Sequence, residues 1–488
     1  MAVTNIITGL PLRMPGPILV TALAACLIIV ILYRGYSHRR FYRDLPGPPH
    51  SWLFEIFYLD LWPIGPGMVV ITDPKLMGNS SRPKPLPIHP LTAVFMKPML
   101  GEGTMAATNG ALWRKIATAV SQTFSMGHVL GMTSIMVDEC LLFQEKLDEL
   151  AVTGDVFSME ELIARLVFGM VSIDLRELVN LAGGETNPLI AYNPMVQIPR
   201  RWKRHRIVSR LDRSLRQKVN ECVERIVQEG DVPSRQNPRS IMDLLIREHA
   251  EAMLEERKGA NLHRSLKTML LGGHSTSMST LCFLFMLLSK APDVVEKMHR
   301  EHIEQLGASP TVTLLDNPSM LRRLPYTEAV IKESPRLYPL GSDLKQAPPG
   351  TTITTHDGRR LPNANGLIMT ASTHTIHYDA NIYPDRTSFR PERWIDPEKA
   401  PTGPGYFRAF GGDGRTCPGQ NMGMNILKIV MVITMGKYTF DCAGLAPNKE
   451  PRTKHTNLYL VFRDTAFQQL GLDGRPGDGM MMTVGKKA

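Results

Sequence analysis

The sequence lacks the patterns that would make it a zinc-finger, disulfide-framed or nucleic-acid-binding protein. Its six cysteines, Cys26, Cys140, Cys222, Cys282, Cys417 and Cys442, include no Cys-x-x-Cys pair. Neither a zinc site nor a disulfide framework is suggested, and a reducing, cytosol-facing environment fits. No zinc finger, basic zipper or aromatic RNA-binding signature occurs, so no nucleic-acid partner is expected. Charged residues make up only 21% of the 488, and hydrophobic residues 43%. That balance excludes compositional disorder and permits a large buried core. The formal net charge of +10 suits an anionic membrane surface or an acidic protein partner.

An apolar, charge-free run spans residues 18–33 and is followed by Arg34, His38, Arg39, Arg40 and Arg43, with Arg13 the only charged side chain before it. The positive-inside rule places the N-terminus in the lumen and the remainder in the cytosol. No small-x-small cleavage site clearly ends the run, which favours an uncleaved single-pass anchor over a signal peptide. Leu45-Pro46-Gly47-Pro48-Pro49 reads as a stiff spacer. The expected organisation is an anchor with its basic flank (1–44), a proline-rich hinge (45–50) and a catalytic domain (51–488).

Phe410-Gly411-Gly412-Asp413-Gly414-Arg415-Thr416-Cys417-Pro418-Gly419 is a glycine-rich loop that delivers one cysteine ahead of an apolar helical run, 421–435. Glycines let the backbone take positive φ and approach a flat ligand closely. Pro418 suits the first position of a helix, whose dipole would favour a thiolate at Cys417. Upstream, 262–290 reads as one long helix with Gly272-Gly273 in its middle, at about 1 kcal/mol each relative to alanine. Two helices broken at those glycines is the other reading. Strands are expected at 58–62 and 68–72, and a hairpin from 351–355 and 366–370 around Asp357-Gly358. His374 and His377 lack a carboxylate or third histidine to complete a metal site and read as loop residues.

The cysteine loop resembles the haem loop of the cytochrome P-450 family, Phe-x-x-Gly-x-Arg-x-Cys-x-Gly, through Phe410, Arg415, Cys417 and Gly419, with Asp413 in place of the usual glycine. Gly272-Gly273-His274-Ser275-Thr276-Ser277 resembles the family's oxygen-binding groove, with Thr276 at the proton-relaying threonine and Ser275 where the family has an acid. Glu333 and Arg336 match its Glu-x-x-Arg helix, and Phe389-Arg390-Pro391-Glu392-Arg393-Trp394 its Pro-Glu-Arg-Phe segment, Trp394 replacing phenylalanine. Pro335 within that helix is expected to kink or end it. Trp113 with Arg114 or Lys115 resembles the haem-edge helix, although the usual basic position is Ala117.

The resemblance implies a mainly α fold with a small β region and haem (iron-protoporphyrin) held by Cys417 as axial thiolate. In the family, such a thiolate favours O–O cleavage. It further implies Arg415 on a haem propionate, a buried Glu333–Arg336–Arg393 triad, and proton delivery through Thr276 with Ser275. The activity implied is hydroxylation of a C–H bond of an apolar small molecule with O2 and electrons passed from NADPH by cytochrome P-450 reductase, at a membrane that is expected to be the endoplasmic reticulum. Residues 45–52 and the 410–420 loop are similar to fungal members of secondary metabolism. The basic run Arg200, Arg201, Lys203, Arg204 and Arg206 falls in the region that covers the family's substrate entrance, or forms a solvated helix face. Two other readings stay open. The missing acid before Thr276 motivates a reductase-independent haem-thiolate isomerase. The short interval from hinge to first strand, with Ala117, Asp413 and Pro335, motivates a shortened, catalytically impaired member.

Overall fold

The computed structural model describes residues 56–168, 193–229, 259–443 and 468–487 apart from short gaps, with isolated helical residues between 24 and 36 and at 177, 178 and 181. The hinge at 45–50, most of the 18–33 run and Asp413 lie outside the described residues.

Helices build the bulk of the fold around a 30-residue helix, Gly259–Leu288. Its last eight residues, Leu281-Cys282-Phe283-Leu284-Phe285-Met286-Leu287-Leu288, are apolar on every side and buried throughout. A helix with no polar face must be enclosed by neighbours. Here Met159–Phe168, Pro325–Leu337 and Gln420–Thr434 pack against it. Among the described residues, its Leu266–Leu288 stretch is the one helix long and apolar enough to cross a membrane, but 78% of the apolar window is buried in the protein. It is therefore the core helix. Prolines mark several helix starts, at Pro292, Pro310 and Pro325, where the missing N–H costs nothing. Gly154, at φ 69°, closes Thr133–Thr153 in a left-handed cap.

The β region is small. A four-stranded sheet runs in the order Ile56–Leu59, Met68–Ile71, Ile368–Ala371, Lys345–Gln346. Its middle pair is parallel, with Val69 opposite Met369, so residues 300 apart in sequence are locked side by side. A three-stranded antiparallel sheet joins Phe157–Ser158, Met481–Lys486 and Tyr438–Cys442.

Several expectations change in detail. The core helix is continuous through Gly272 and Gly273, so the broken-helix reading fails. The helix Pro325–Leu337 does not end at Pro335, which sits within its last turn, and the Tyr338 N–H beyond it still donates to the Ser334 carbonyl. The first strand is Ile56–Leu59 rather than 58–62, and pairs with Met68–Ile71. Thr351–Thr354 forms its hairpin with Arg360–Asn363, not with 366–370. Asp357-Gly358 turns the chain sooner than expected, with Gly358 at φ 82°, and the later strand, Ile368–Ala371, is buried along its length and belongs to the larger sheet. His374 and His377 lie on a short helix, Thr373–His377.

Candidate haem site

The cysteine loop is shaped by its own backbone. Gly411 and Gly414 adopt φ of 76° and 75°, where a side chain would be strained. The Cys417 N–H donates to the Phe410 carbonyl at 2.8 Å, closing the loop on itself. The helix that follows starts at Gln420 with Gly419 as its N-cap, so Pro418 is not its first residue and Cys417 stands three positions ahead of it. Burial pushes the Cys417 thiol up, and the Gly419 N–H hydrogen bond lowers it by less. Ionisation of Cys417 belongs with metal binding, which deprotonates a coordinating thiol outright.

Thr416 and Pro418, on either side of Cys417, line a cavity of about 1520 Å³. That exceeds the roughly 300–1,000 Å³ typical of a single small-molecule pocket. Its walls come from Leu91, Val94, Phe95 and Met96, from Trp113 and Ala117, from Pro339 to Leu344, and from the loop. Arg415 lies at the loop end with its guanidinium 4.3 Å from the centre of the Trp113 ring. Its terminal nitrogens donate to the Thr108 carbonyl at 3.0 Å and to Asn109 Oδ1 at 2.7 Å. Its Nε is buried without a hydrogen-bond partner. A buried donor left bare is costly, and a haem propionate is an acceptor of the right charge. Arg114 is exposed and takes no part in this contact; Trp113 meets Arg415 instead.

On the core helix Gly272, Gly273 and Thr276 are exposed while their neighbours His274, Ser275 and Ser277 are buried. A Cβ added at Gly272 or Gly273 would meet nothing within 4 Å. The three positions share one face by helical spacing, so the helix has an open strip thinned to backbone and one hydroxyl. Thr276 Oγ1 donates to the Gly272 carbonyl at 2.6 Å. Ser275 lies off this strip.

The charged cluster beneath is the most fully built part of the site. Glu333 and Arg336 have no exposed side-chain surface, and Arg393 only 6%. Arg336 Nε and a terminal nitrogen each reach the Glu333 carboxylate at 2.8 Å, and Arg393 Nε reaches it at 3.0 Å. Trp394 Nε1 donates to it at 2.9 Å, so the tryptophan adds a bond that phenylalanine could not make. Arg336 also donates to the carbonyls of His377, Arg386 and Ser388.

Sequence reasoning missed two residues here. His377 is fully buried and joins the triad to the loop: Nδ1 lies 3.2 Å from the Arg336 carbonyl, and the Arg408 N–H donates to Nε2 at 3.0 Å. That pairing requires the neutral ring with its proton on Nδ1. Burial and the Arg336 charge hold its pKa down to about 3. Asn109 is the other: it bonds Ile88 through both its amide atoms while receiving Arg415. Nothing in local sequence marks either. Among the described residues no group of histidines, cysteines and carboxylates could hold a bare metal ion.

A single cysteine on a glycine loop, a bare arginine donor and an oversized cavity fit a haem better than any mononuclear metal site, and with this fold they define a haem-thiolate enzyme. The sequence profile of the family described as cytochrome P-450 matches residues 56–465. The chain is 28% identical over 489 residues to the cytochrome P-450 monooxygenase acrF of Aspergillus aculeatus, covering 88% of this chain and 94% of that one. It is 25% identical over 535 residues to the monooxygenase polC of Polytolypa hystricis, covering 95% and 94%. A solved structure, retinoic acid bound cyanobacterial CYP120A1, superposes with a TM-score of 0.66 at 17% identity, over 89% of this chain and 92% of that one. This chain belongs to the cytochrome P-450 family of monooxygenases, oxidoreductases whose cofactor is haem with an axial cysteine thiolate.

Proposed function

We propose that this protein hydroxylates or otherwise oxidises an apolar small molecule in fungal secondary metabolism, using O2 and electrons delivered from NADPH by a membrane-bound reductase. The observation that carries the reading is the cavity between the Cys417 loop and a wall of Leu91, Val94, Phe95 and Met96, too large for one small ligand alone. The fungal monooxygenases among its relatives support the pathway type.

Cys417 would ligate the haem iron through its thiolate, and Arg415, whose Nε is buried without a partner, would hold a propionate. Bound there, the haem supplies oxygen activation, favoured by the electron-rich thiolate. Glu333, Arg336 and Arg393 hold the segment below the loop, and His377 transmits that hold to Arg408. Thr276 keeps a hydroxyl on the open strip, where it donates to Gly272 at rest and can pass a proton when that bond is exchanged for water. Leu91, Val94 and Phe95 exclude bulk water from the substrate. The catalytic domain begins near residue 51, tethered by the apolar 18–33 segment to the endoplasmic reticulum and facing the cytosol.

The test is a reduced, carbon monoxide difference spectrum of the full chain in microsomes, with haem content measured alongside. A thiolate-type Soret band is expected, and Cys417→Ala should abolish it. Product formation that proceeds without NADPH and reductase would instead assign the chain to rearrangement chemistry.

A further inference from the structure

Arg415 is held by a residue 306 positions earlier in the chain, Asn109. The Asn109 Oδ1 accepts from the Ile88 N–H at 2.8 Å and from an Arg415 terminal nitrogen at 2.7 Å, while Nδ2 donates to the Ile88 carbonyl at 2.9 Å. Both lone pairs of the oxygen are then spent. Turning the amide over would set its N–H groups against the Ile88 N–H and the guanidinium, so the network admits one orientation. Ile88 bridges Lys345, on the edge strand Lys345–Gln346 of the four-stranded sheet. Asn109 therefore ties the arginine of the cysteine loop to the sheet.

The backbone carries the same residue to the tryptophan. The Asn109 carbonyl accepts the Trp113 N–H at 3.5 Å, in the first turn of the helix Gly110–Thr123. Gly110, at φ 66°, turns the chain into that helix directly after Asn109, in a region where a side chain would be strained. The indole one turn on has the Arg415 guanidinium 4.3 Å from its ring centre. With the other terminal nitrogen on the Thr108 carbonyl, both ends of the fork are engaged. Nε is what remains, buried and without a partner. Asp343 acts on Arg415 through its charge, but it stands 3.2 Å from the Lys345 ammonium and is not a hydrogen-bond partner of the arginine. A free arginine side chain samples many rotamers, and fixing one before the ligand arrives removes that entropy loss from binding.

We propose that Asn109 is a positioning residue for the cofactor: by holding a terminal nitrogen of Arg415 it aims Nε at the haem propionate before haem arrives, and so slows the departure of haem once bound. The inference rests on the assignment of Arg415 to a propionate. Its own content is that the hold depends on Asn109, which never touches the cofactor.

The experiment follows transfer of ferric haem from the purified full-length holoprotein in detergent to excess apomyoglobin, read at the Soret band, with a urea midpoint measured for every variant. Asn109→Leu keeps the size and removes the acceptor. It should speed haem release roughly tenfold, the low end for a hydrogen bond to a charged group because Asn109 is exposed. Asn109→Asp keeps an acceptor for Arg415 but loses the donor to the Ile88 carbonyl. It should release haem no faster than wild type, whatever it does to the urea midpoint. If the residue served only to tie down Ile88, the two variants would speed release alike, and that result overturns the proposal. Should Asn109→Leu load no haem, Asn109→Asp decides alone: release faster than wild type counts against the proposal. Arg415→Leu should release haem faster still, and adding Asn109→Leu to it should change the rate by less than about twofold. Release from Arg415→Leu at the wild-type rate removes the propionate assignment, and this inference with it. Fast release from Arg415→Leu beside an unchanged Asn109→Leu removes only the role given to Asn109.

Discussion

Replacing Glu333 by glutamine changes little in shape and removes one charge from the centre of a buried cluster. The carboxylate accepts from Arg336 twice, from Arg393 Nε, from Trp394 Nε1 and from the Arg390 backbone N–H at 3.1 Å. Glutamine keeps one acceptor oxygen and turns an N–H2 toward donors. Two guanidiniums, one of them fully buried, are then left with no carboxylate. Removing one partner of a buried pair costs about 3–5 kcal/mol. Arg336 keeps three backbone carbonyls, which argues for the lower half of that range. Against a total of about 5–15 kcal/mol for a domain, about 3–4 kcal/mol is severe. Urea unfolding of the holoprotein, followed by circular dichroism with haem content measured at each stage, should show an earlier midpoint and substoichiometric haem. A Glu333→Gln protein within about 1 kcal/mol of wild type and fully loaded with haem would refute the claim that this carboxylate organises the proximal side. Trp394→Phe supplies the internal scale: it keeps a ring and removes one bond to a charged acceptor, worth about 1.5–3 kcal/mol, so it should fall between the two.

Thr276→Ala should leave stability within about 1 kcal/mol, because the residue sits on the open strip and loses one local hydroxyl bond, but should divert NADPH oxidation from product to peroxide or water; unchanged coupling counts against the proton-relay role. Acid sensitivity should come from histidines held neutral. His377 and His302 have pKa values pushed down to about 3 and about 4, chiefly by burial, whereas an unfolded histidine titrates near 6.5. The unfolded chain therefore binds more protons in that window, and stability falls as pH drops from about 6.5 toward 4, by up to about 1.4 kcal/mol per pH unit for each histidine. Urea midpoints at pH 7, 6 and 5 should reveal the slope, and His377→Gln should reduce it by about one proton; a slope identical to wild type removes His377 from the account.

The parts of this protein that sequence determines are those encoded locally. The glycine-flanked cysteine, the three-residue spacing of Glu333 and Arg336, and the unbroken apolar run 281–288 each carry their meaning in adjacent residues, because loop freedom, a helix face and enclosure are properties of a few consecutive positions. What tertiary structure decided depends on partners far apart in the chain. Ile368–Ala371 looked like one arm of a hairpin until its pairing with Met68–Ile71 put it in the larger sheet. Arg415 meets Trp113 and Asn109 from some 300 residues away, so the arginine on the haem loop, and not one beside the tryptophan, faces that ring. His377 read as an unremarkable loop residue, yet burial and two backbone bonds make it the link between the Glu333 cluster and the loop. The basic run at 200–206 carried one charge pattern and two meanings, and only packing gives Arg200 the Leu181 carbonyl, Lys203 the Glu177 carboxylate and Arg206 the Trp202 ring. Charge and polarity are written in sequence, but the surface that receives them is made by packing.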